Sequence, residues 1–337
     1  MNDVLFNNKQ EVPEDLHLGR DGYLFVIGGS NNLLEQYEYS DRNDYNLIKW
    51  RQIIIGQYEA LQKKGIAYRH MIAPEKVSIL PDMMGVSVNP QLSPARRLYE
   101  DDPLWLAGPK GTLAYLQHLR RRRRWRSICI DLFGPMRAAE DRAHLYFKVD
   151  SHWSYRGRCF AYERVCEALG TRPVRDLEDR KKQHIPDFAG DLGGRCDPPI
   201  TEDQIIAHAQ RDAVRTYASP IVLHREQFGL GSTLHTGAHV AYRNNRANDR
   251  RRLLLFGDSF SHWAPIMLTI LLAETFREVH FVWSTSIDYG LVDRVKPDIV
   301  LTEMAERFLY QTVEDDFDVE AYAQERFDAE LSGKRPL

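Results

Sequence analysis

Two short motifs carry the residue types of acyl-transfer chemistry. The first is G-D-S-F-S at 257–261, which follows the apolar run L-L-L-F at 253–256. That run predicts a buried strand, and the residues after the motif predict a helix over about 262–274. A serine at such a junction sits at the carboxyl end of a strand, where open α/β sheets place their sites. Free N–H groups at the start of the following helix would favour developing negative charge. Ser261 stands where the last glycine of a G-x-S-x-G elbow would be, so this is a different turn. Taken alone, Ser259 also fits a helix N-cap. The second motif is D-S-H-W at 150–153. A serine nucleophile needs a base, and the base needs an orienting carboxylate. In an extended D-x-H segment Asp150 and His152 point the same way. Asp150 can then hold one imidazole nitrogen while the other faces Ser259, with Trp153 as a wall that excludes water. Taken alone, this motif also fits a turn with a partly buried histidine and a core tryptophan.

Other clusters compete for attention. Glu303, Glu306 and Arg307 follow the last predicted strand, where they either line the site or form an intrahelical ion pair. The histidines of H-T-G-A-H at 235–239 have the i,i+4 spacing of a metal pair. Gly237 and the lack of helical periodicity argue against that, and no metal site is expected. His262 reads as a helix-start residue. D-F-D at 316–318 has the form of a metal-binding D-x-D, but it lies in an acidic run with no strand before it. Five consecutive arginines, 120–124, with Arg126 beside Trp125, read as a solvated helix end. Their functional alternative is an anionic partner, such as lipid headgroups or a diphosphate-linked glycan.

The elements that must position these residues follow from periodicity. Asp21-Gly22 is a turn signal before a short strand, Tyr23 to Ile27. Leu47, Trp50, Ile54, Tyr58 and Leu61 recur at helical intervals from Asp41, and Gly65 ends the run. A second strand covers 66–72. Thr112 can cap a helix that runs into the arginines. A third strand is expected at 127–133, a short helix from Pro135, and a helix from Tyr155 to Leu169. Short strand candidates at 214–218, 220–224 and 238–242 lie in an irregular stretch, about 171–250, read as loops and an antiparallel edge around the site. Strands at 253–256, 279–283 and 298–304 alternate with helices, one of them near 288–295. Such alternation implies an α/β fold with a mostly parallel central sheet and helices on both faces. The acidic tail, about 311–337, is read as a solvated terminal helix or as disordered.

Composition bounds the rest. In 337 residues, 43% are hydrophobic and 28% charged, which are globular values. The formal net charge of −3 gives no case for a general nucleic-acid coat, so no nucleic-acid partner is expected. Four cysteines, 129, 159, 166 and 196, have no C-x-x-C pair and read as reduced thiols. The N-terminus shows neither a basic n-region nor an apolar h-region, and the apolar stretch 264–273 is too short to span a bilayer. The expectation is a cytoplasmic protein without a transmembrane segment, placed at the inner membrane face. The alternative is a periplasmic one whose anchor lies outside this sequence.

Six ordered motifs together resemble the alginate O-acetyltransferase family of the AlgJ/AlgX type. They are G-R-D-G-Y-L-F from residue 19, A-P-E-K at 73–76 with Pro81-Asp82, L-Y-F-K-V-D-S-H-W ending at 153, G-D-L at 190–192, G-D-S-F-S, and E-M-A-E-R-F-L at 303–309. The resemblance spans about residues 19–310. It implies an SGNH-hydrolase-like sandwich over the whole of 1–337 and a triad of Ser259 as nucleophile, His152 as base and Asp150 as orienter. It also implies O-acetyl transfer to a carbohydrate hydroxyl, with no bound cofactor and with polysaccharide-synthesis membrane proteins as candidate partners; the cytoplasmic expectation, not the resemblance, makes acetyl-CoA the expected donor. The alternatives are a carbohydrate acetylesterase and a non-catalytic glycan-binding subunit. There are departures. No G-x-N-D block supplies an oxyanion asparagine, and the family's export segment and extra carbohydrate-binding module are not seen. Asn244 and Asn245 are then the oxyanion candidates, and Trp153, Asp191 and Arg307 complete the candidate substrate-facing set.

Overall fold

The computed structural model describes residues 10–100, 112–264, 267–313 and 315–333. The described strands are β1 (Leu16–Leu18), β2 (Leu24–Val26), β3 (Ala67–Ala73), β4 (Cys129–Ile130), β5 (Lys182–Phe188), β6 (Glu202–Ala207), β7 (Val214–Ala218), β8 (His239–Arg243), β9 (Asp249–Gly257), β10 (Phe276–Trp283) and β11 (Ile299–Ala305). Seven of them form one sheet in the order β4-β3-β11-β9-β10-β8-β7. The five from β4 to β10 run parallel, and β8 and β7 add an antiparallel edge. Two small antiparallel pairs, β1-β2 and β5-β6, lie outside it.

The parallel strands are buried on both faces, which is why their sequences are near-continuous apolar runs. In β9, Leu253 and Leu255 point into one core with Val279, Phe281, Ile299 and Leu301. Leu254 and Phe256 point into the other, with Ile72, Val282 and Val300. Helices close both faces. Asp41–Lys63 starts at Ser40, whose side chain accepts the Asn43 N–H, and lays Leu47, Trp50, Ile54 and Leu61 on the second core. Tyr155–Ala168 starts at Ser154, which accepts the Gly157 N–H, and lays Ala161, Tyr162 and Val165 on the first.

Some boundaries differ from expectation. Residues 220–224 are not a strand: Pro220 opens the helix Pro220–Gln227, a first-turn position where its missing N–H costs nothing. The third strand shrinks to Cys129–Ile130, because the arginine-rich helix continues to Ile128. No long helix follows Ser259 directly. A single 3-10 turn, Ser259–Ser261, stands there, and the next described helix is Leu268–Thr275. Pro265 disfavours helical backbone at the residue before it. Asp318 caps a terminal helix, Val319–Leu331. The Thr112 side chain and Glu314 lie outside what is described.

Candidate active site

Ser259 lies just beyond the carboxyl end of β9, half-buried. Its turn is fixed from below by two acids. Asp258 accepts the Phe260 N–H at 2.9 Å through one oxygen and the Ala305 N–H at 2.6 Å through the other, tying the turn to the end of β11. Glu303 accepts the Ser261 hydroxyl at 2.7 Å and the Asp258 N–H at 3.3 Å. Gly257 has no room for a β-carbon, which would stand 2.9 Å from that of Ser261 and 3.0 Å from the Glu303 carboxylate. The Ser259 N–H has no acceptor among the described residues, so it is free to meet an oxyanion.

Asp150 and His152 sit on a tight loop closed by a bridge between Tyr146 and Trp153. Distant segments take up its backbone groups. The Lys148 carbonyl accepts from Leu24 N–H and Lys76 Nζ. Glu202 accepts the N–H groups of Lys148 and Val149. The Val149 carbonyl accepts from Leu192 and Gly193. Asp191 accepts the Ser151 N–H and hydroxyl, both at 2.6 Å. Its own N–H donates to Asp150 Oδ2 at 3.0 Å. With the loop held, Asp150 Oδ1 is 2.7 Å from His152 Nδ1, and His152 Nε2 is 2.8 Å from Ser259 Oγ. Phe260 packs on the imidazole, ring centres 4.7 Å apart.

Both imidazole nitrogens are committed in this arrangement. Asp150, His152 and Asp191 present atoms close enough to share a cation, but here Asp150 and His152 form one hydrogen-bonded relay to Ser259 while Asp191 holds Ser151. That relay can take a proton from Ser259 and stabilise the imidazolium. Burial opposes the charge on Asp150, but the hydrogen bonds and charge of His152, with the Asp191 N–H, outweigh it and bring the carboxyl down to about 2. Burial likewise opposes charge on His152, and the Asp150 and Asp191 carboxylates override it, raising the imidazole above its ordinary value while Arg307 acts the other way. Burial pushes Asp258 upward. It pushes Glu303 well up, helped by the neighbouring Asp258 charge. His262 is drawn down to about 4 by burial and by His152, and its Nδ1 accepts the Ala264 N–H.

The remaining candidates divide. Asp191 belongs to the site, as the partner of Ser151 described above. Arg307 lies close enough for its charge to act on His152, Asp191 and Asp258. It is clamped by Glu75 through bonds of 2.6 and 3.0 Å, not by an intrahelical acid. Trp153 is not a wall of the cleft. It is fully buried beneath Phe260, ring centres 4.9 Å apart. Asn244 and Asn245 are not oxyanion donors. They precede β9 while Ser259 follows it, and nine residues of strand at ~3.3 Å each separate the two ends by roughly 30 Å. Asn244 instead holds the carbonyls of Ala273 and Glu274. The two histidines of 235–239 diverge: His235 stacks on Trp283, and His239 meets His280 at 3.1 Å. Glu75, Lys76, Glu202 and Asp258 are the contributors that sequence reasoning gave no role. The A-P-E-K run after a strand, and the aspartate before the serine, were the available signals.

A family model described as SGNH hydrolase-like domain, acetyltransferase AlgX, matches residues 16–222. Among solved structures, Bacillus cereus PatB1 is 14% identical with a TM-score of 0.56, over 90% of this chain and 98% of its own. The O-acetyltransferase domain of Pseudomonas putida AlgJ is 15% identical with a TM-score of 0.50, over 95% and 99%. A DHHW family protein from Eubacterium siraeum is 12% identical with a TM-score of 0.53, over 92% and 95%. No curated protein matches by sequence. At these identities the structures speak for the fold, and the family match, which covers more than half of the chain, speaks for kinship. The chain belongs to the SGNH hydrolase-like acetyltransferases of the AlgX family.

Proposed function

We propose that this acetyltransferase works through an acetyl-Ser259 intermediate, moving an acetyl group to a carbohydrate hydroxyl. The observation that carries the reading is the unbroken chain from Asp150 through His152 to Ser259, with links of 2.7 and 2.8 Å. Ser259 Oγ attacks the donor carbonyl as its proton passes to His152 Nε2. Asp150 holds the other ring nitrogen and stabilises the imidazolium. The oxyanion meets the Ser259 N–H. Collapse expels the donor's leaving group, which takes the proton from His152. A sugar hydroxyl then gives its proton to His152 and attacks the acetyl-serine, the same N–H meets the second oxyanion, and collapse breaks the bond from Ser259 Oγ to the acetyl carbon as Oγ takes the proton back from His152. Asp191 keeps the loop in register, and Arg307 holds a positive charge beside the cleft.

The donor we assign is acetyl-CoA, whose thioester offers a good leaving group. Labelled acetyl-CoA should leave one acetyl group on the Ser259 peptide, seen by mass spectrometry and lost in Ser259→Ala. A chromogenic acetyl ester is the donor-independent control. Labelling by the ester but not by acetyl-CoA would replace the donor while keeping the nucleophile. Labelling by neither would overturn Ser259 as nucleophile. Acetate release that no sugar acceptor diverts would make the protein an acetylesterase.

A further inference from the structure

We infer that the outward face of the helix Thr112–Ile128 docks onto an anionic lipid bilayer. Trp125 and Ile128 fasten this helix to the body, being 4% and 0% exposed, and the Trp125 indole donates to the Tyr99 carbonyl at 3.2 Å. The opposite side is apolar where solvent should favour polar residues: Tyr115, Leu116 and Leu119 are 51%, 49% and 42% exposed. At about 100° per residue, these three share one arc of roughly 120° with Arg122, Arg123 and Arg126. The first half of the face is therefore apolar and the second half cationic. The side chains of Arg122, Arg123 and Arg126 make no hydrogen bond or ion pair with another described residue. Arg124, which points off that arc, is paired with Glu59 at 3.2 Å.

Charge complementarity selects a polyanion, and the apolar half selects which one. A hydrated polysaccharide or nucleic acid would leave Tyr115, Leu116 and Leu119 in water. The boundary between lipid headgroups and acyl chains accepts both halves at once, as it does for helices lying in the membrane plane. Glu59 stands near the end of the helix that leads into β3, so the arginine end lies toward the amino ends of the parallel strands. Ser259 lies past the carboxyl end of β9. A docked protein would thus keep its catalytic edge directed away from the surface.

The test is sedimentation of the whole chain with phosphatidylcholine vesicles, with and without phosphatidylglycerol, at low and high salt. Binding should require the anionic lipid and weaken with salt. Arg122→Gln/Arg123→Gln/Arg126→Gln should lower affinity on the order of 100-fold, about fivefold for each cation at the surface. Leu116→Ser/Leu119→Ser should also lower it, and Leu119→Trp should shift its emission to the blue on vesicles. Turnover of a soluble acetyl ester should stay unchanged in all three variants and serves as the control for folding. Absence of vesicle binding overturns the inference, as does undiminished binding by the leucine variant. Equal or tighter binding of a soluble anionic polysaccharide or of nucleic acid would overturn it too, as would a dimer dispersed by the same substitutions. If the arginine variant misfolds, the Leu119→Trp signal decides.

Discussion

Gly190 lies so close to Asp150 that a β-carbon on it would stand 2.6 Å from the Asp150 Cβ and 2.6 Å from the Val149 carbonyl oxygen, at a φ of +59°. Gly190→Ala is therefore strained twice, by the left-handed backbone and by collision with the loop that carries the triad's carboxylate. Displacing that carboxylate by a fraction of an ångström should lower kcat on a small acetyl ester about 10- to 100-fold. The strain should also cost about 1–3 kcal/mol of stability. Steady-state kinetics and thermal unfolding measure the two separately. Lost stability with an unchanged kcat would mean that Gly190 serves the fold and not the placement of Asp150.

If Asp150, His152 and Ser259 act as a unit, their removal cannot be additive. Ser259→Ala and His152→Ala should each reduce kcat by roughly 10⁴-fold or more, and the double variant should be little worse than either alone. Asp150→Asn should keep the geometry while favouring the wrong tautomer, at a cost on the order of 10⁴-fold. Pre-steady-state measurement of acetyl-enzyme formation gives these ratios directly. Independent losses that multiply would argue for separate roles.

Much of this arrangement is legible from residue type and order. A run such as Leu253–Phe256, apolar at every position, suits only a strand covered on both faces, and its end locates Ser259. The D-x-H spacing is legible because a short loop leaves Asp150 and His152 few ways to miss each other. What is illegible is which end of an element a polar side chain serves. Asn244 and Asn245 have the chemistry of oxyanion donors but stand at the wrong end of β9. Trp153 has the bulk of a cleft wall but faces the core. The Glu75–Arg307 clamp is hidden for another reason: its partners are 232 positions apart, and they meet because β3 and β11 are neighbours in the sheet. Lys76 and Glu202 are recognisable as parts of the site only once the loop they hold is in place.

Glu306 is a second long-range support, with a testable weight. It is fully buried, and its oxygens accept from the Ser78 hydroxyl, the Glu75 N–H, the Ser93 hydroxyl and the Ala95 N–H. Glu306→Ala removes the acceptor of four donors, of which only the Ser78 hydroxyl has the Tyr37 oxygen to turn to, and should cost about 3–5 kcal/mol. Glu306→Gln keeps one accepting oxygen and should cost less, about 1–3 kcal/mol. Urea unfolding of the two variants provides the comparison. A negligible cost for Glu306→Gln beside a large one for Glu306→Ala would show that side-chain volume at 306, and not hydrogen bonding, holds the segment Glu75–Ala95.

The pH dependence of ester turnover should reveal which charges face His152. The base must be neutral to accept the serine proton, so kcat/KM falls on the acid side as the free enzyme's imidazole is protonated. Asp150 and Asp191 raise that imidazole above its ordinary 6.5 despite burial, which places the acid limb above the value of a free histidine. Asp191→Asn removes one stabilising negative charge, 4.0 Å from Nδ1. The imidazolium then loses its proton more easily, and the limb should move to lower pH. Arg307→Gln removes a positive charge that acts in the opposite sense, so its limb should move to higher pH. Each variant can also lose overall rate, since Asp191 positions Ser151 and Arg307 lies beside the cleft, but a rate loss leaves the limb in place. Opposite displacements are therefore a signature of two charges acting on one base. Displacements in the same direction, or none, would show that the titrating group is not His152 in the surroundings described here.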